Sequence, residues 1–105
     1  MARIEDIDDN AYALALWKII AHHGYENQKE KTIEELNELG QAIARDLQGR
    51  GSRDNIAEEM ADAHIMINQL MLIYGNLDEV RWWINQKLAR TLERIEEERA
   101  GKSMK

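Results

Sequence analysis

The sequence predicts an all-α fold, a four-helix, bundle-like domain that assembles into a homo-oligomer. Composition indicates helices, because proline and phenylalanine are absent while 44% of the 105 residues are hydrophobic and 32% are charged. Apolar residues recur at spacings of three and four, which places them on one side of a helix. Gly24, Gly49 and Gly75 follow three of these segments, where glycine commonly ends a helix. We expect one domain over residues 1–105, with a core of about 10–95 and frayed ends.

The first predicted helix begins at a cap supplied by Asp8, Asp9 or Asn10 and ends at about His23. Its apolar residues lie on more than one side, which predicts contact with more than one neighbour.

The second predicted helix runs from about Asn27 to Gln48 and carries two parallel stripes. The apolar stripe is the predicted core and contains Ile33, Leu36, Gly40, Ile43 and Leu47. A polar stripe lies beside it and contains Gln28, Lys31 or Thr32, Glu35, Glu38, Ala42 and Arg45.

A basic turn over residues 49–53 leads to the third predicted helix, which Ser52 or Asp54 caps and which ends at Tyr74. It is apolar almost all round from residue 65 to 73, so we expect it at the centre. Its predicted seam consists of Ile56, Met60, Ala63, Ile67, Leu70 and Tyr74.

Asn76 and Glu79 predict a capping box at the start of the fourth helix. The apolar residues of that helix are Val80, Ile84, Leu88, Leu92 and Ile95, with Trp82 and Trp83 near its start.

Two acidic pairs carry the chemistry that the sequence suggests. Glu35 and Glu38 share a face of the second helix, and Glu59 and Asp62 repeat the spacing in the third. If the helices pack antiparallel, four carboxylates converge, and their mutual repulsion requires protons or a counter-charge. Carboxylate oxygens suit a hard divalent ion such as Mg²⁺, with Mn²⁺ as a substitute. The alternative to a metal site is that the two acidic pairs lie on solvent-exposed helix faces and form only surface salt bridges.

At these residues the chain resembles the MazG-like, all-α nucleoside triphosphate pyrophosphohydrolases, whose motif is Glu-Glu-x-x-Glu, a variable gap and Glu-x-x-Asp. The matching residues are Glu34-Glu35-Leu36-Asn37-Glu38 and Glu59-Met60-Ala61-Asp62, and the resemblance extends over about residues 16–95. It implies the MazG fold, assembly as a homodimer or homotetramer, and hydrolysis of (deoxy)nucleoside triphosphates to a nucleoside monophosphate and pyrophosphate. The chain departs from the family at non-ligand positions, namely Asn37, Gly40 and Ala63-His64. These departures leave the choice of substrate open.

The resemblance also implies roles for individual residues. Glu35, Glu38, Glu59 and Asp62 would bind Mg²⁺, and Glu38 would orient the attacking water as the catalytic residue. Residues expected to contact the substrate's phosphates or base are Gln28, Lys31, Arg45, Arg53, Lys87, Arg90 and Trp17. For each cation the alternative is a solvated charge, and for Trp17 it is a place in the core.

Charge and composition restrict the function further. A net charge of −6 argues against binding of nucleic-acid polymers, which are held by basic surfaces. Cysteine is absent, which excludes thiolate metal sites and fits a cytoplasmic protein. No apolar run approaches the ~20 residues of a membrane span. The alternative function is a non-enzymatic, acidic helical dimerisation or adaptor protein.

Overall fold

The structure, a computed structural model, describes residues 6–103 and consists there of four α-helices. Their bounds are α1 Asn10–His23, α2 Tyr25–Leu47, α3 Arg53–Tyr74 and α4 Leu77–Ser103. The all-α prediction is therefore confirmed. The chain forms two compact units, Met1–Gly75 with α1 to α3 and Asn76–Lys105 with α4.

Local sequence determines the helix ends. The side chains of Asp9 and Ser52 each accept a hydrogen bond from the backbone N–H of the third residue of their helix, at 2.9 and 3.2 Å. Gly24 and Gly75 follow α1 and α3 with φ of 91° and 63°, where a Cβ would be strained. Asn76 precedes α4 as predicted, and its backbone C=O accepts a hydrogen bond from the N–H of Val80 at 2.9 Å, but its buried Oδ1 accepts none from any described residue, so the predicted side-chain cap is not formed.

The turn between α2 and α3 folds back tightly on the end of α2. A Cβ at Gly51 would lie 2.7 Å from the Cα of Asp46, closer than non-bonded carbons approach. Gly51 therefore permits the short connection that brings α3 alongside α2.

Within the first unit, α2 and α3 form the main helix pair, and α1 packs on both. The face of α2 that is buried is its polar stripe, represented by Gln28, Thr32, Glu35 and Ala42. The prediction that the apolar stripe forms the core is wrong, since Ile33 is 62% exposed in the chain. Burial of this stripe is possible because Gln28 bonds to Gln69 of α3, the hydroxyl of Thr32 donates to the backbone C=O of Gln28 within α2, and Ala42 is small.

The seam predicted for α3 is only partly correct. Ala63 is buried and Ile56 and Leu70 are half-buried, but Met60 and Ile67 are exposed. Besides Ala63, the buried residues of α3 are Met66, Asn68 and Gln69. Helix α3 therefore meets its neighbours partly through amides.

The exposed apolar stripes of α2 and α3 meet on one side of the helix pair. We call this surface the apolar face; it consists of Ile33, Leu36, Ile43, Leu47, Met60, Ile67 and Tyr74. Lys29, one turn before Ile33, places its Nζ 4.5 Å from the ring centroid of Tyr74 at the end of α3. This contact joins the margins of the two stripes.

The second unit is a single helix with aromatic residues near its start. The rings of Trp82 and Trp83 meet edge to face with centroids 4.8 Å apart. Lys87 Nζ lies 5.8 Å from the ring centroid of Trp83. Between residues 6 and 103, no helix has both the length and the apolar character needed to cross a membrane.

Candidate metal centre

A buried amide pair sets the register between α2 and α3. Gln28 Nε2 donates a hydrogen bond to Gln69 Oε1 at 2.6 Å, and both side chains are buried. Because the two helices run antiparallel, ten residues onward in α2 and ten back in α3 bring Glu38 opposite Glu59. The helix register that the Gln28–Gln69 hydrogen bond sets is therefore also the register that brings Glu38 and Glu59 together.

Three carboxylates converge at that level of the helix pair. Glu35, Glu38 and Glu59 each offer an oxygen, and these three atoms lie within 4.8 Å of one another. Glu35 is 7% exposed, Glu59 is half-buried and Glu38 is exposed. We call these residues the acid cluster. It has a buried side formed by Glu35 and a side open to solvent at Glu38.

Two oxygens of the acid cluster are buried without a hydrogen bond. They are Glu35 Oε2 and Glu59 Oε2, and no described residue of the chain donates to either. A buried carboxylate oxygen is normally hydrogen-bonded or bound to a cation, because stripping it of water is otherwise costly. A cation bound between these residues could supply a partner for such oxygens.

The neighbouring charges of the cluster change the pKa of Glu38. The negative charge of Glu35 raises the pKa of Glu38, and loss of solvent and the charge of Glu59 raise it further. Glu35 also favours the protonated form of Glu38, because a protonated Glu38 can donate a hydrogen bond to it, whereas the charge of Lys31 lowers the pKa. Without a cation, the cluster therefore favours holding a proton at Glu38.

Lys31 supplies the nearest positive charge. Its Nζ lies 3.1 Å from Glu35 Oε1 and 3.6 Å from Glu34 Oε2. The hydrogen bond to Glu35 is the main reason that the pKa of Lys31 is raised. One oxygen of Glu35 is therefore paired with an ammonium group, while the other is buried and accepts no hydrogen bond from any described residue.

Asp62, the fourth predicted ligand, lies outside the three-carboxylate cluster. It is half-buried one turn after Glu59. By the register of the Gln28–Gln69 pair it lies opposite Glu35. Its position on the same side of α3 is consistent with the spacing, but its shorter side chain is not part of the convergence.

The residues expected to contact substrate occupy varied positions. Gln28 is 5% exposed and bonded to Gln69, so its amide is engaged within the chain. Trp17 is 38% exposed on α1. Arg45 and Arg53 are exposed at the ends of α2 and α3 that face the turn. Lys87 and Arg90 belong to the second unit and are exposed on α4.

Sequence reasoning missed Gln69, which is 1% exposed and anchors the helix pair. The available signal was the interruption of an apolar run by Asn68 and Gln69, together with the polar stripe of α2. Pairing residues symmetrically about the turn, from the acids outward, matches Gln69 with Gln28. Asn68 has a different partner, since its Nδ2 donates to the hydroxyl of Tyr12 at 2.8 Å.

No protein-family model matches this chain, and no curated protein or solved structure is significantly similar to it. Its function is therefore inferred from the acid cluster and its surroundings. All-oxygen ligation with one open side suits Mg²⁺ or Mn²⁺, which bind through a few carboxylates and retain water molecules. Such a centre can hold phosphate oxygens and activate water.

Proposed function

We propose that this protein is a Mg²⁺-dependent nucleoside triphosphate pyrophosphohydrolase of the MazG-like type. The observation that carries the proposal is that Glu35 and Glu59 converge with Glu38, and that each of the two has a buried carboxylate oxygen to which no described residue donates a hydrogen bond. Their spacing in sequence matches the two half-motifs of that family. A solvated acidic face would not bury carboxylate oxygens without donors.

We assign a role to each acid of the cluster from its burial or exposure. Glu35 and Glu59 would hold the cation, because their free oxygens are withdrawn from solvent. Mg²⁺ in this position would neutralise phosphate oxygens and lower the pKa of a bound water molecule. Glu38 is exposed at the open side, where it can accept a hydrogen bond from the attacking water and orient it. Asp62 would complete the ligand set from one turn further along α3.

Within this proposal, cleavage occurs between the α- and β-phosphates. The sequence contains no Gly-x-x-x-x-Gly-Lys-Ser/Thr loop whose backbone would hold a terminal phosphate for transfer. The carboxylate-bound cation and the cations of the chain would instead hold several phosphate oxygens at once. Attack at the α-phosphorus breaks the α–β anhydride bond and releases pyrophosphate, leaving a nucleoside monophosphate.

Activity measurements with isosteric variants test the proposal. Glu38→Gln and Glu59→Gln should each reduce kcat/KM at least about a hundredfold, since each removes a charge from the centre. Glu58→Gln, an exposed acid beside the cluster, is the matched control and should remain within about threefold of wild type. Activity of both cluster variants near the wild-type value would contradict the proposal.

The site of bond cleavage is tested by running the reaction in ¹⁸O-labelled water with a panel of common and damaged nucleotides. We expect the label in the nucleoside monophosphate. Label in inorganic phosphate, together with a nucleoside diphosphate, would contradict attack at the α-phosphorus.

The second candidate function is that of a helical association or adaptor protein, and the apolar face favours it. Several exposed large apolar side chains on one small domain commonly mark a protein–protein contact. Association and enzymatic activity are compatible, and we propose that the chain forms a homodimer or homotetramer through this face. Mg²⁺ separates the two candidates: it should raise the Tm of an enzyme-like centre by mass action, and leave that of an adaptor nearly unchanged.

A further inference from the structure

We propose that Lys31 is the resident counter-cation of the acid cluster, that it releases Glu35 when a divalent cation binds, and that it then contacts the phosphate of an anionic ligand. This inference rests on the proposed metal centre and adds an order to its binding events. The cation would bind first, and its arrival would free a positive charge for the phosphate.

The contacts of Lys31 indicate that it occupies part of the centre. Its Nζ approaches Glu35 Oε1 to 3.1 Å, although the Glu35 side chain is only 10% exposed. The other oxygen of the same carboxylate is buried and lacks a donor within the described chain. Glu35 therefore has one oxygen paired with an ammonium group and one buried oxygen that a bound cation could use.

A divalent cation and the ammonium group compete for this carboxylate. A cation held by Glu35, Glu38 and Glu59 would lie within a few ångströms of Nζ, where like charges repel. Lys31 can leave at little cost, since its side chain is 50% exposed and its four-carbon stem is flexible. Its other contact, at 3.6 Å from Glu34 Oε2, lies on the solvent side and is weak.

The released ammonium group stays beside the centre because Lys31 precedes Glu35 by one helical turn. An ammonium group carries three donors and a full charge, which suits a phosphate oxygen. The cation and Lys31 would then approach the same phosphate chain from neighbouring positions. Among the described residues of α2, Lys31 is the cation that forms an ion pair with the acid cluster.

Binding measurements on Lys31→Met test this exchange without using turnover. We expect the affinity for Mn²⁺ alone, measured from the electron paramagnetic resonance signal of free Mn²⁺, to increase roughly tenfold because a competitor is removed. We expect the affinity of the Mn²⁺-saturated protein for Mn²⁺-pyrophosphate, measured by calorimetry, to fall roughly tenfold because a phosphate contact is lost. Lys31→Arg should retain most of the pyrophosphate affinity.

Lys29→Met is the matched control, since it removes the same charge from the same helix but at the apolar face. It should change both affinities by less than about twofold. Opposite changes in the two affinities of Lys31→Met support the inference. Equal behaviour of the two variants, or a loss of both affinities in Lys31→Met, would overturn it. Wild-type protein that binds no Mn²⁺ would instead overturn the metal centre itself.

Discussion

The Glu38 carboxyl group has a pKa above its ordinary value, chiefly because of the negative charge of Glu35. The unfolded chain lacks this neighbour and binds the proton only at lower pH. Between the two pKa values the folded protein holds more protons, so its stability falls as pH rises through that window. The contribution is fully present below the unfolded pKa and is lost above the raised pKa. Metal-free protein is therefore expected to be destabilised by its own cluster at neutral pH.

Glu38→Gln should remove this pH dependence. In the presence of EDTA the variant should melt at or slightly above the wild-type Tm at pH 7, because one repelling charge is gone. Its Tm should also depend less on pH from 4 to 7, and the increase that Mg²⁺ produces should shrink. Differential scanning fluorimetry across pH, with and without Mg²⁺, measures all three. An unchanged pH profile would contradict the assignment, and Glu58→Gln serves as the control.

At the scale of helices, the Gln28–Gln69 pair determines whether the acids meet. Amide pairs are directional, so a slip of one turn between α2 and α3 would break the bond and separate Glu38 from Glu59. An apolar interface would tolerate such a slip more easily. We infer that buried polar groups here secure the register on which the cluster depends.

Gln69→Leu tests this role. It leaves Gln28 Nε2 buried without its acceptor and should cost about 1–3 kcal/mol of unfolding free energy, measured in urea. Replacing both glutamines by leucine should recover part of that loss, because neither amide is then orphaned. Mn²⁺ affinity should nevertheless stay weakened in the double variant, since the register is no longer fixed.

Asn68→Ala provides the comparison for the glutamine variants. It removes a neighbouring buried amide of α3 that is bonded to α1 rather than to α2. It should lower stability without changing Mn²⁺ affinity. If Asn68→Ala weakened Mn²⁺ binding as much as Gln69→Leu, general loosening of the unit would explain the effect and the register argument would fail.

The sequence predicts those features of the helices that depend on residues close together in the chain. Asp9, Ser52 and Gly75 act on their own helix ends, so local chemistry predicts Gly75 directly and includes Asp9 and Ser52 among two or three candidate caps each. Helical periodicity likewise brought Glu35 and Glu38 to one face. Periodicity does not reveal which neighbour covers which face. For α2, periodicity predicts that Ile33 lies in the core. In the structure Ile33 is exposed, because α3 covers the adjacent polar stripe.

At the scale of the molecule, several polar side chains are buried while many large apolar side chains are exposed. The first unit buries amides and a carboxylate, while side chains such as Leu47 and Met60 are 82% and 56% exposed. A small chain gains limited stability from its own core, so association commonly supplies the remainder. A second copy of the apolar face is a suitable partner, because it would bury apolar surface on both sides without leaving unpaired polar groups.

Association through the apolar face predicts a mass above that of one 12.2 kDa chain at micromolar concentration, measured by light scattering after size exclusion. Ile43→Glu should shift the protein toward the monomer and lower its Tm, since a charge would have to be desolvated at the contact. Gln41→Glu adds the same charge on an exposed, polar side of α2 and should leave the mass unchanged. A wild-type mass near 12.2 kDa would exclude association. Equal masses for wild type and Ile43→Glu would show that a different surface mediates it.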